Sequence, residues 1–135
     1  MADKDYSGTP LWKKLGIKDG GSFAIVRSPD DVSIEIPPGA QRLAKPADET
    51  DVILLFETRL KNLERSFARA KPKLAPDGGL WVAYPKKSSS LATDLSFENV
   101  QAVGLEAGLV DNKSCAIDGN WSAVRFVYRL KDRPA

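Results

Sequence analysis

The residues best suited to chemistry lie between positions 85 and 94. Pro85-Lys86-Lys87-Ser88-Ser89-Ser90 brings two ammonium groups and three hydroxyls together, and Thr93-Asp94 follows. Ammonium and hydroxyl donors side by side hold a phosphate or a carboxylate. Asp94 can act as a base or orient a lysine, although an aspartate just before a helix more commonly serves as a cap. Lys86, Lys87, Ser88, Ser89 and Asp94 are therefore candidate ligand-binding residues. The alternative for the lysine-serine run is a solvated polar loop. Two further candidates are aromatic. Tyr6-Ser7-Gly8-Thr9-Pro10 has a composition unusual for a free arm, and an arm folded across the sheet would bring Tyr6 and Thr9 over a pocket near Lys86. Trp121 follows a turn and can either stack on a ligand or cover the sheet as core.

What the chain lacks narrows the chemistry further. Its 135 residues contain no histidine and one cysteine. The commonest general base and the commonest metal ligand are thus missing, no intrachain disulfide can form, and neither a metal nor a cofactor is expected. Composition is 42% hydrophobic and 28% charged, as in a single globular domain large enough for its own core. The formal charge is +2, too small to indicate nucleic acid by itself. The N-terminus has no apolar signal region and the longest apolar run is Val52–Phe56. The expectation is a cytoplasmic protein without a membrane partner, and the lone Cys115 agrees with a reducing compartment.

The elements that must position these residues follow from pattern. Leu11, Trp12, Leu15 and Ile17 suit a short helix ended by Gly16, and Ser22–Val26 reads as a first strand. Ser28-Pro29-Asp30-Asp31 carries helix-start signals, whereas Val32-Ser33-Ile34-Glu35-Ile36 alternates like a strand. The capping signals are the more specific and predict a short helix here. Ala40–Ala44 suits an edge strand, and Asp51–Phe56 is an apolar run buried on both faces. Thr58 is placed as cap of a helix whose stripe is Leu60, Leu63, Phe67 and Ala70, ended by Pro72. Ala75–Gly79 reads as a tight turn before a strand over Leu80–Tyr84. A helix starts at Ser96 and closes near Gly108. Asn112–Ile117 and Ala123–Leu130 form an antiparallel hairpin about Asp118-Gly119-Asn120.

Strands linked by helices, closed by a hairpin, make an α/β domain with a mostly parallel sheet. The order resembles the methyltransferase-like variant of the three-layer Rossmann-type fold. The segments that carry the resemblance are Leu15–Gly20 before the first strand, Leu74–Leu80, and Ala107-Gly108-Leu109 before the hairpin. Tyr6–Leu11, Pro85–Ser89, Thr93-Asp94-Leu95 and Trp121-Ser122 also resemble a small bacterial family known as domain-of-unknown-function 3052. That resemblance spans the chain and implies the same fold, but it implies no activity.

A dinucleotide or S-adenosylmethionine site on such a fold needs glycines after the first strand and an acid at the end of the second. Arg27-Ser28-Pro29-Asp30-Asp31 contains no glycine, and Gln41, Arg42 and Lys45 precede the first acid, Asp48. Both halves are missing, so the expected function is a non-catalytic binding or regulatory module for an anionic small molecule or a protein partner. One alternative is a small enzyme with Lys86 and Lys87 as clamps on an anionic substrate and Ser88 or Asp94 in the chemistry. Another is nucleic-acid binding by the helix over 59–73, where Arg59, Lys61, Arg65, Arg69, Lys71 and Lys73 face a single acid, Glu64. The exposed aromatics of a single-strand binder are not evident there, which argues against nucleic acid.

Overall fold

The computed structural model describes residues 9–133. Helix α1 (Leu11–Leu15) ends at Gly16, whose φ of 88° is the left-handed cap that glycine adopts without strain. The strands are β1 (Ser22–Val26), β2 (Gln41–Leu43), β3 (Thr50–Phe56), β4 (Leu74–Pro85), β5 (Leu109–Ala116) and β6 (Trp121–Tyr128). The longer helices are α2 (Leu60–Ala70) and α3 (Phe97–Glu106). Among the described residues the strands form one sheet in the order β2-β1-β3-β4-β6-β5. β1 to β4 run parallel, and β6 lies antiparallel between β4 and β5.

The chain steps outward from β1 to β2 and then returns to the other side of β1 to begin β3. The sheet therefore reverses its winding between β1 and β3, and open α/β sheets bind ligands outside the carboxyl ends of their strands at such a point.

The two sheet faces are covered unequally. On one, α2 and α3 seal a core of Ile53, Leu55, Leu63, Phe67, Leu80, Val82, Val100 and Phe126. On the other, Phe23, Leu54, Phe56, Trp81 and Trp121 lie under α1 and the segment linking β1 to β2. That segment corrects the short helix expected over 28–36, since residues 32–36 are neither helix nor strand. Val32, Ile34 and Ile36 turn inward against this core while Ser33 and Glu35 are exposed. The alternation is real, but it serves packing rather than sheet pairing, and Pro37-Pro38 lack the amide donors that would extend it into a ladder. The third layer is consequently thin.

Three local expectations also change. Ala75–Gly79 is not a tight turn but part of β4. The pairing passes from Thr50↔Leu74 to Val52↔Gly79, so Asp51 alone spans four residues of β4. Gly78 permits this bulge, because a Cβ there would lie 2.5 Å from the Asp51 carbonyl oxygen. Thr58 does not cap α2. Its carbonyl accepts from Thr93 Oγ1 (2.7 Å) and the Asp94 amide (3.2 Å), and Arg59 takes the N-cap position. β5 and β6 start earlier than expected, at Leu109 and Trp121. The cap at Ser96 forms as a reciprocal box with Asn99.

Candidate functional site

β1, β3 and β4 end together at one edge of the sheet, and β6 begins there. β1 runs out into Arg27, β3 into Glu57 and β4 into Lys86. The Glu57 amide donates to Ala83 O (3.1 Å), which fixes its backbone against β4. Its side chain is carried inward and the residue is only 3% exposed. Arg27 Nη1 stands 3.7 Å from Glu57 Oε1, whereas Oε2 is buried without a hydrogen-bond partner. An ion pair thus occupies the switch point between β1 and β3. A charged residue directly after the apolar run Val52–Phe56 was the available sequence signal for Glu57. The signal for Arg27 was absent, because only the fold places it opposite.

Arg27 holds a left-handed backbone (φ 61°), as does the exposed Glu49 (φ 62°). Non-glycine residues pay about 1–2 kcal/mol for this conformation. Glu49→Gly is expected to raise the urea midpoint by an equivalent of roughly 1 kcal/mol. Arg27→Gly should gain less, since it also removes the pair with Glu57. Equal gains would show that the pair adds no stability, and a loss at Glu49 would show that the strain is not there.

At the end of β4 is a cleft of about 360 Å³ lined by Tyr84, Lys86, Lys87, Ser89, Ser96 and Glu98, among others. Burial, with Glu98 nearby, pushes the Tyr84 hydroxyl up, so at neutral pH it stays protonated and can donate. The Lys86 amide donates to Asn120 O (2.8 Å) and tethers the loop to the β5–β6 turn. Of the lysine-serine run, Lys86, Lys87 and Ser89 line the cleft, while Ser88 is exposed outside its lining. Thr93 lines it too, with its hydroxyl also accepting from the Leu95 amide (2.9 Å). Asp94 caps α2 from a distance, Oδ1 accepting from the Leu60 amide (2.8 Å). This cap joins two segments remote in sequence, which is why local pattern assigned it to the following helix.

Trp121 corrects the stacking candidate. It is 5% exposed and meets Phe56 edge-on with ring centroids 5.1 Å apart, so it is core. Tyr6 lies outside the described residues. Thr9 precedes α1 and does not line the cleft at Lys86. α1 itself borders a different cleft, at the amino ends of β1 and β3, with Trp12 and Lys13 near Ser22 and Asp51. Burial pushes the Cys115 thiol up, partly offset by Lys14.

The basic helix gains neighbours that the sequence did not show. Arg27 and Lys45 join Arg69 and Lys73 around a groove of about 400 Å³ floored by Val26, Leu55 and Ala70. Lys73 pairs with Asp48 (3.2 Å).

Sheet order, switch point and C-terminal hairpin define a methyltransferase-like Rossmann-type α/β fold. Among solved structures the chain is similar to a SAM-dependent methyltransferase from Aquifex aeolicus, with TM-score 0.60, 11% identity and 86% of each chain covered. It is also similar to LepI in a complex with SAM, with TM-score 0.58 and 12% identity over 93% of this chain and 48% of LepI, about half that enzyme's length. A protein from Pyrococcus horikoshii OT3 matches with TM-score 0.53 and 9% identity over 88% of this chain and 86% of its own. At these identities the likeness is one of fold. No protein-family model matches the chain, and no curated protein sequence is detectably similar.

The residues at the switch point do not fit a strand–glycine turn–helix cofactor site. β1 is followed by Arg27, Ser28 and Pro29 with no helix before β2. Neither a close backbone approach nor a helix N-terminus is offered there. β2 is followed by Ala44 and Lys45, and the first acid beyond it, Asp48, is engaged by Lys73. Among the described residues no helix is long and apolar enough to cross a membrane, and no cluster of acids and cysteine could hold a metal ion.

Proposed function

We propose that the chain is a cytoplasmic, non-catalytic binding or regulatory module built on a methyltransferase-like fold. It recognises an anionic small molecule at the Pro85–Ser90 loop or, failing that, a protein partner. The observation that carries this reading is the Arg27–Glu57 pair standing where a glycine turn would admit a cofactor. Lys86, Lys87, Ser89 and the Tyr84 hydroxyl supply donors to an anion in the cleft at the end of β4. The enzyme alternative is weakened by the placement of its reacting groups, because Ser88 is exposed and does not line the cleft and Asp94 is committed to capping α2. The resemblance to the domain-of-unknown-function 3052 family, carried by the motifs that surround this loop, fits the same reading.

Thermal unfolding tests it. A ligand at about 100 times its dissociation constant adds roughly 2.7 kcal/mol of stability. S-adenosylmethionine is expected to leave the melting temperature unchanged. Inorganic phosphate is expected to raise it in the wild type but not in Lys86→Ala/Lys87→Ala. A shift with S-adenosylmethionine that Glu57→Ala abolishes would replace this proposal with a cofactor site at the β1–β3 switch point. No shift with either compound would move the weight to a protein partner.

The groove bounded by Arg27, Lys45, Arg69 and Lys73 favours one second reading, a polyanion such as nucleic acid on the α2 face. Its affinity would fall steeply with salt, so a salt-insensitive affinity would dismiss it.

A further inference from the structure

The amino-terminal edge of the sheet carries an arrangement that the proposed function does not use. Lys113 on β5 and Arg125 on β6 are direct cross-strand partners, so their side chains project from the same sheet face. Like charges placed opposite each other destabilise a sheet. Among the described residues no carboxylate lies within 4.0 Å of either side chain's nitrogens to offset this. Lys113 is exposed, whereas Arg125 is half-buried. The Arg125 side chain passes over Gly79 of β4, where a Cβ would lie 2.3 Å from its Nε.

Both cations open into a cleft of about 620 Å³, a size that suits a small organic molecule. Trp12, Ile17 and Val52 supply apolar lining, and Lys18 adds a further ammonium group. Three carboxylates also border the cleft. That of Asp51 accepts from the Ser22 amide (3.0 Å), while Asp19 and Asp77 are exposed. A guanidinium fork beside an ammonium group matches the geometry of a phosphate, and an indole nearby matches a flat ring.

We propose that this cleft, with Arg125 and Lys113 as its anion-binding pair and Trp12 as its stacking surface, binds an aromatic phosphate monoester such as a mononucleotide. The site stands at the opposite edge of the sheet from Lys86 and is independent of the proposed function.

The probe is adenosine monophosphate titrated into the full chain, read by tryptophan fluorescence. Trp81 and Trp121 are buried, so quenching should report Trp12. Saturable quenching is expected, absent in Trp12→Phe, reversed by inorganic phosphate and unchanged in Lys86→Ala/Lys87→Ala. Arg125→Gln should weaken binding by about tenfold or more, as expected for a charged hydrogen bond. Lys113 is exposed, so Lys113→Gln keeps the fold. It should weaken binding several-fold while raising the melting temperature of the free protein, a combination that a merely structural lysine would not produce. No saturation at millimolar nucleotide, or saturation unchanged in both charge variants, would overturn the proposal.

Discussion

Trp81→Ala is expected to destabilise the protein by about 3–5 kcal/mol, measured as a lowered urea midpoint at unchanged slope. Trp81 is the largest fully buried side chain, with 0% exposure, and it sits at the centre of β4 against Phe23, Leu54 and Leu15. Its ring is also tethered, since Nε1–H donates to the Leu15 carbonyl at 2.9 Å. That carbonyl is in the last turn of α1, where helical partners run out. The bond therefore pins the thin third layer to the sheet. Trp81→Phe separates the two contributions. It keeps most of the apolar volume but leaves the Leu15 carbonyl unpaired, which costs about 1–3 kcal/mol. A phenylalanine variant as stable as the wild type would mean that α1 is held by packing alone.

The second large effect is expected at Gly104. This residue faces the sheet from α3, and a Cβ there would overlap the Phe126 ring. Phe126 cannot easily yield. It is fully buried and meets Phe67 of α2 edge-on, with centroids 5.4 Å apart. Gly104→Val should therefore cost about 3 kcal/mol by overpacking. Gly104→Ala should cost less, because alanine regains about 1 kcal/mol of helix propensity. The Phe126→Leu background provides the check. If the close approach of α3 is the cause, Gly104→Ala should be less harmful there than in the wild type, with a coupling energy of about 0.5–3 kcal/mol. Strict additivity would place the cost elsewhere.

Gly104 also illustrates what pattern reading leaves out. The sequence places a helix from Ser96 to near Gly108, and the structure closes its start with the reciprocal cap between Ser96 and Asn99. A glycine in the helix interior reads as a propensity cost from sequence alone. Only the facing β6 strand shows that its missing Cβ is what admits Phe126. The same holds for Gly78 and Gly79, which local reading makes a turn. In the fold they lie inside β4, where one accommodates the β3 backbone and the other Arg125.

The sequence by itself determined the class of fold. Buried apolar runs at Ser22–Val26, Asp51–Phe56 and Leu80–Tyr84, a stripe at Leu60, Leu63, Phe67 and Ala70, and an Asp-Gly turn before the last strand are local signals with local causes. Periodicity, proline stops and turn chemistry act over a few residues and survive without tertiary context. The absence of a glycine after β1 was legible for the same reason. The tertiary structure alone decided which charges meet. Arg27 and Glu57 are separated by thirty residues in sequence, Asp94 caps a helix that begins far upstream, and Arg125 reaches Gly79 only because β6 pairs with β4. It also decided that Trp121 is core and that 32–36 packs without pairing. Those outcomes depend on strand order and on which side of the sheet a neighbour arrives, and no local propensity encodes either.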